Sequence, residues 1–178
     1  MTSELYEEIV SQRGTLESLI AKIPGFKGYH EKNARRQADT MLRDHIATRI
    51  QTIVTQFVQV ENAILCNGSG LRHMARTREV KSRIQSYADR VQTAAPKYSG
   101  MFASIKIGNE ELDRIYAFDE AQLRYVDRLE TEVGILKATV EKGEAFESQL
   151  NAVMDAVTTA IDAFALRDDV ILQLGDEK

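Results

Sequence analysis

The stretch LRDHIATRIQTIVTQFVQVENAI, Leu42 to Ile64, decides the fold. Its apolar residues recur every three or four positions, the spacing that places side chains on one face of an α-helix. A helix continuing from about residue 30 to the CNGSG segment, where Asn67 and Gly68 can adopt the left-handed conformation that ends helices, would be about 50 Å long. Such a helix is too long for a compact globule and requires long partner helices. The apolar residues are Leu42, Ile46, Ile50, Ile53, Phe57, Val60 and Ile64.

The rest of the chain supplies partners with the same periodicity. No segment shows the sustained alternation of a strand, and the spacing is typical of helices that cross at small angles. We therefore predict an all-α fold: an elongated antiparallel up-down bundle of four long helices plus a shorter N-terminal helix. It forms one domain over residues 1–178, with a flexible tail at about 175–178. Besides the central helix, the predicted helices cover about Ser3 to Lys22, 74–91, 112–140 and 146–174.

Composition narrows the class of protein. The chain has 178 residues, of which 43% are hydrophobic, enough for one domain with a sizeable core. Its single cysteine, Cys66, cannot form an internal disulfide. The first residues lack the pattern of a signal peptide, and no apolar run approaches the roughly 18 residues of a membrane span. We expect a soluble, cytoplasmic protein.

Charge is distributed unevenly along the sequence. The formal net charge is -4, but residues 1–108 carry 16 basic and 10 acidic side chains, whereas residues 109–178 carry 7 and 17. We expect the two halves to attract each other through ion pairs at the edges of the helices. A nucleic-acid partner is not favoured, because it would require an exposed face of net positive charge.

Two connections are rich in aromatic and basic residues. In an up-down bundle, IPGFKGYHEKNARR (23–36) and PKYSGMFASIKIGN (96–109) lie at the same end, which we call the aromatic pole. Its aromatic side chains either face an anionic lipid surface or close the open end of the core, and the second interpretation is favoured. The candidate anion-binding or partner-binding residues of this pole are Phe26, Lys27, Tyr29, Lys32, Arg35, Arg36, Lys97, Tyr98 and Phe102.

Basic residues also cluster where two predicted helices begin. The macrodipole places positive charge at a helix N-terminus, so bases are disfavoured there unless an anion is nearby. That anion could be a carboxylate of the acidic half, a phosphate or a lipid head group. Neutralisation by the acidic half of the chain is favoured.

One acidic residue falls on a predicted core position. Extending the stripe of Tyr116 and Leu123 places Asp119 toward the core. A buried carboxylate costs several kcal/mol unless it is paired and hydrogen-bonded. We predict a buried ion pair of Asp119 with Arg36 or Arg43; Arg35 and Tyr29 are also within reach. The alternative is a carboxylate that binds a ligand or takes part in catalysis.

The sequence lacks the residue patterns of common catalytic and metal-binding sites. A di-metal site in a bundle needs Glu-x-x-His pairs, but the residues three positions before the three histidines are Lys27, Leu42 and Gly70. Cys66 could approach His73 across a turn, yet no third residue is placed to orient the pair. There is no phosphate-binding loop, dinucleotide fingerprint or zinc spacing. We predict no catalytic residues, no metal and no cofactor.

Two runs resemble a family of uncharacterised bacterial all-helical proteins. They are GYHEKNARRQADTMLRDHIA (28–47) and YSGMFASIKIGNEELDRIYAFD (98–119). The shared pattern is a Gly-Tyr, an Arg-Arg, Asp and Leu/Met-Arg series, and a Tyr-x-Gly-x-Phe loop before Glu-Glu-Leu-Asp and Tyr-x-Phe-Asp. The resemblance implies a helical fold and a bacterial origin, and it brings no activity.

The expected function follows from the long helices. We expect a non-enzymatic protein that acts through protein contacts, as an adaptor or assembly component, with a protein partner or by self-association. The alternative is a peripheral membrane protein or a binder of an anionic ligand, such as phosphate, that uses the aromatic pole.

Overall fold

All the regular structure of the described residues is helical. The computed structural model of the chain describes residues 2–12, 15–28, 35–66, 70–93 and 109–176. The predicted all-α class is confirmed. The helices are α1 (Thr2–Ser11), α2 (Leu16–Lys22), α3 (Arg35–Cys66), α4 (Met74–Thr93), α5 (Asn109–Glu141) and α6 (Glu147–Asp176), and a 3-10 turn, Gly70–His73, precedes α4.

The N-terminal segment forms two helices, so the prediction of one helix from Ser3 to Lys22 is wrong. Thr15 has an extended backbone, and its side-chain oxygen accepts a hydrogen bond from the amide of Ser18 at 3.2 Å. This N-cap starts a new helix by satisfying an amide that has no partner within the helix. Apolar residues continue on both sides of the cap, so periodicity alone does not reveal it.

The core runs the length of the long helices. Every residue of the stripe from Leu42 to Ile64 is buried, as are the matching apolar positions of α4, α5 and α6. α3 packs against α4 and α5, and α6 packs against α4 and α5. The short helix α1 contacts α5 and α6, and α2 contacts α5.

Side-chain contacts give the relative directions of neighbouring helices. Lys81 of α4 pairs with Glu61 of α3 at 2.5 Å, and Ala88 lies across from Asp44, so these two helices run in opposite directions. On α5, Asp127 lies beside Arg49, whereas a groove further along joins residues around 60 to residues around 140, so α3 and α5 run the same way. The first residues of α3 and α5 therefore lie at one end of the molecule.

α5 ends in a hydrogen-bonded turn, and α6 continues almost to the end of the chain. After α5, Gly143 has a φ of +72°, its amide donates to Val140, and the amide of Glu144 donates to Thr139. These bonds form the Schellman motif, which needs a residue in the left-handed conformation at the end of the helix.

α6 extends to Asp176, so residues 175 and 176 of the predicted tail are helical, and 177 and 178 lie outside the described residues. Among the described residues, no helix is long and apolar enough to cross a membrane.

Candidate functional site

A network of buried charges lies near the first residues of α3 and α5. Asp119 has no exposed surface, and its carboxylate accepts a hydrogen bond from Arg167 Nε at 2.6 Å. Arg167 is 2% exposed and comes from α6. A guanidinium that is fully withdrawn from water requires acceptors on several sides, which the neighbouring helices provide.

Asp39 is the second acceptor of Arg167. Arg167 Nη2 donates to one carboxylate oxygen of Asp39 at 2.7 Å, and Arg43 Nε donates to the other at 2.8 Å. Asp39 and Arg43 are one turn apart on α3, the spacing at which side chains of a helix meet. We call Asp39, Arg43, Asp119 and Arg167 the charge network; it joins α3, α5 and α6.

The network favours the ionised form of Asp39. Burial alone would raise the pKa of Asp39, but the charge and hydrogen bond of Arg167, followed by those of Arg43, outweigh it and lower this pKa below its ordinary value of 3.8. Two acidic and two basic side chains give the network no net formal charge. It therefore fixes the positions of three helices without requiring an external counter-ion.

The structure describes the side chain of one of the predicted partners of Asp119, Arg43. Arg43 belongs to the network, where it binds Asp39, and Arg167 was not predicted at all. Arg35 and Arg36 start α3, but their side chains lie outside the described part, as does Tyr29. Arg167 could have been found by extending the apolar stripe of α6 three positions beyond Phe164.

The aromatic pole is only partly described. Phe26 is 2% exposed and packs in the core, so it is not part of an exposed surface, whereas Lys27 is exposed. Beside them Gly28 is buried with a φ of +78°, and a Cβ at this residue would come within 2.6 Å of the Tyr116 hydroxyl oxygen. The loop therefore packs directly against α5. The remaining predicted residues whose positions lie outside the described part are Tyr29, Lys32, Lys97, Tyr98 and Phe102.

A second buried polar pair crosses the core. Tyr87 of α4 donates its hydroxyl hydrogen bond to Gln122 Oε1 of α5 at 2.9 Å, and burial raises the pKa of Tyr87. The amide nitrogen Nε2 of Gln122 is buried and has no hydrogen-bond partner among the described residues. An unsatisfied buried amide costs about 1 to 3 kcal/mol. The pair therefore specifies the register of the helices at some cost in stability.

The histidines do not assemble a catalytic or metal site in the described residues. His73 packs its ring on Phe146 with the centroids 4.8 Å apart, and its Nε2 lies 3.6 Å from Glu147. For His45, burial and the charge of Arg49 lower the pKa. In the described ranges, no group of three or more His, Cys, Asp or Glu side chains could hold a metal ion. His30 lies outside those ranges.

The surface between α3 and α4 carries a mainly uncharged groove. Between Arg49 and Glu61 the sequence has no charged residue. An open groove of about 440 Å³ lies between α3 and α4 and is lined mainly by uncharged side chains. We call it the α3–α4 groove; its residues are Asp44, Ala47, Thr48, Gln51, Thr52, Thr55, Ala88 and Gln92.

The expected attraction between the two halves is seen at the edges of the helices. Arg49 of the basic half donates to Asp127 and to Glu130 of the acidic half, both at 2.6 Å. Lys22 lies 3.8 Å from Glu120. These contacts neutralise part of the basic charge within the molecule.

The segments that carry the family resemblance are partly described. Residues 35–47 belong to α3 and residues 109–119 to α5, whereas residues 29–34 and 98–108 are outside the described ranges. The resemblance stays a prediction, because comparison of the chain with protein-family models, with curated proteins and with solved structures gives no match.

Proposed function

We propose that this is a non-enzymatic protein that acts through protein contacts, as an adaptor or assembly component. In this proposal the helices α3 to α6 form an elongated antiparallel up-down bundle that presents a binding surface, and the α3–α4 groove receives a helix or extended segment of the partner. The single observation that carries the proposal is the mainly uncharged lining of that groove, in which Asp44 is the one charged residue.

The groove has few charged residues, as the cores of protein interfaces do. Charged residues make up 28% of the chain, yet seven of the eight residues that line the groove are uncharged. On α3, exposed Thr52 and Thr55 donate their hydroxyl hydrogen bonds to backbone carbonyls of their own helix. Such a surface loses little solvation when a partner covers it, and interface cores are depleted of charge for this reason.

The buried charges support a structural role better than a catalytic one. Arg167, Asp119 and Asp39 are almost completely removed from solvent and bond to one another. A substrate would have to separate three helices to reach them. A side chain in such a position contributes to the arrangement of the helices that carry the groove.

The test is affinity purification of the tagged full chain from the cells that make it, with and without crosslinking. We expect at least one protein to co-purify in near-stoichiometric amount with the natural chain. The double substitution Thr52→Arg and Thr55→Arg places two charges in the groove, and it should reduce that recovery at least about tenfold, the effect of about 1.4 kcal/mol.

A matched control separates the groove from the rest of the surface. Ser86→Arg adds a charge at an exposed site between α4 and α6 and should leave recovery unchanged. Equal recovery with the groove variant, or no stoichiometric partner with the natural chain, would contradict the proposal.

A further inference from the structure

One face of α5 is exposed and spaced like a coiled-coil seam. Its exposed residues include three adjacent pairs seven positions apart, with Thr131 between the first and second pairs and Ala138 between the second and third. Lys137 is also exposed, but it lies about 100° around the helix from Ala138, to one side of this face. A seven-residue repeat keeps side chains on the same side of a slightly supercoiled helix. We call this face the α5 stripe; its residues are Asp127 and Arg128, Thr131, Gly134 and Ile135, Ala138, and Glu141 with Lys142, which directly follows the helix.

The glycine of the α5 stripe is not required by the fold. Gly134 is in the middle of α5 without a positive φ, and a Cβ added there would meet nothing within 4 Å. Glycine is less favourable than alanine inside a helix, so the position lowers helix stability without an internal reason. Ile135 beside it is 46% exposed, although the opposite face of the same helix is packed in the core.

We propose that the α5 stripe binds the α5 stripe of a second copy of this chain, with the two helices parallel and related by a two-fold axis along their length. In this arrangement a residue on one flank of the stripe faces its sequence neighbour in the other copy. Ile135 of each copy would then lie over Gly134 of the other, where the missing side chain leaves room for it.

Charge selects this partner and this orientation. In the parallel pair, Asp127 faces Arg128 of the second copy, and Glu141 faces its Lys142, so both ends of the stripe bring opposite charges together. Asp127 also accepts a hydrogen bond from Arg49, and one carboxylate can accept from two guanidinium groups. An antiparallel pair would bring Asp127 close to Glu141 and Arg128 close to Lys142, and like charges in such positions repel. The same stripe therefore favours one of the two arrangements.

The contact is expected to be weak and reversible. The α5 stripe extends over 16 residues, or roughly 22 Å of a single helix. The surface area that two such stripes can bury is smaller than that of a standard protein interface. This inference deepens the proposed function by naming a second copy as a partner. It uses a surface separate from the α3–α4 groove, so the two can fail independently.

The test is sedimentation velocity of the purified full chain over about 5 to 500 µM, a range suited to a weak interface. We expect the dimer fraction of the natural chain to rise with concentration. Glu141→Lys alone gives two positive residues on each copy, and Lys142→Glu alone gives two negative ones. Each should move the midpoint of dimerisation at least about tenfold higher.

An equimolar mixture of the two variants provides the decisive measurement. In a mixed dimer the two adjacent lysines of one variant face the two adjacent glutamates of the other, so the mixture should dimerise at least as well as the natural chain. Asp155→Lys, which makes the same charge change at an exposed site of α6, should have no effect. A monomer at every concentration, or a mixture no better than the separate variants, would overturn the inference and leave partner capture by the α3–α4 groove untouched.

A variant at Gly134 tests whether the α5 helices of the two copies approach closely, independently of any effect on the stability of the monomer. Gly134→Gln should raise the melting temperature of the monomer, because it replaces glycine inside a helix and meets no other atom. The same variant should weaken dimerisation, because its side chain fills the space for Ile135. Unchanged dimerisation by Gly134→Gln would also overturn the proposed arrangement.

Discussion

The two ends of the long helices are closed in different ways. Near the first residues of α3 and α5, charged groups are buried in the charge network, and Arg167 has partners on two other helices. At the opposite end, His73 and Phe146 pack edge to face, and the Glu147 side chain near them is 60% exposed. The charged contacts of the network are therefore shielded from water, whereas the contact of Glu147 with His73 is not. Loss of a buried contact should lower the free energy of unfolding far more than loss of the exposed one.

The largest expected effect is at the centre of the charge network. Arg167→Leu removes the guanidinium that bridges the buried carboxylates of Asp39 and Asp119, and we expect the free energy of unfolding to fall by about 3 to 5 kcal/mol. Urea denaturation at pH 7 measures this loss. Arg76→Leu, at the other end and on the surface, should cost less than about 1 kcal/mol. Equal losses for the two variants would remove the distinction between the ends.

The next largest effect is expected at Gly28, when it is compared with Gly143, which also has a positive φ. Gly28→Ala would strain a residue at positive φ and bring Cβ within 2.5 Å of Leu16 Cδ1, so we expect a loss of about 2 to 4 kcal/mol. Gly143 also has a positive φ, but a Cβ there meets nothing within 4 Å. Gly143→Ala should therefore cost only about 1 to 2 kcal/mol. Thermal and urea unfolding of both variants would show whether crowding separates them.

Acid should weaken the network end selectively. Since the folded-state pKa of Asp39 is below 3.8, its contribution to stability is complete above its unfolded-state pKa and is lost as pH falls below that value. We expect urea midpoints to decrease between about pH 4 and pH 2, the range below an ordinary aspartate pKa. In Asp39→Asn this decrease should be shallower. An identical pH profile for the variant and the natural chain would show that Asp39 does not contribute.

The smallest effect is expected at the exposed carboxylate of the opposite end. Glu147→Gln removes a contact at 3.6 Å from a side chain that is mostly in water, so the change should be under about 0.5 kcal/mol. Urea unfolding at low and high salt measures it, with Lys137→Gln as a surface control. A loss above about 1 kcal/mol would show that this end also depends on a charge contact.

The apolar stripes predict more of the charge network than Asp119 alone. Asp119 falls on a core position because it lies between Tyr116 and Leu123 on a regular stripe. The same rule, applied three residues before Leu42 and three residues after Phe164, reaches Asp39 and Arg167. An arginine at a core position is easily taken as the end of a stripe, because arginine is rarely buried without partners. The partners become visible only when three helices are assembled.

Other features could not be read from periodicity. The spacing of three and four predicts the long helices α3 and α5, and an up-down order of helices makes them parallel, but neither says that the two lie side by side. The break before α2 is missed because Thr15 acts through one hydrogen bond, while the apolar pattern continues past it. The identity of helical neighbours depends on how all the stripes fit together, which no single segment contains.

The charge network also has a consequence for the kinetics of folding. Each helix forms from local contacts, but the bond between Arg167 and Asp39 joins residues 128 positions apart. Contacts of such long range require closure of most of the chain and follow the local ones. Interactions that form after the transition state act mainly on the unfolding rate. We therefore expect the network to act mainly on the unfolding rate, by slowing the separation of the helices after they have assembled.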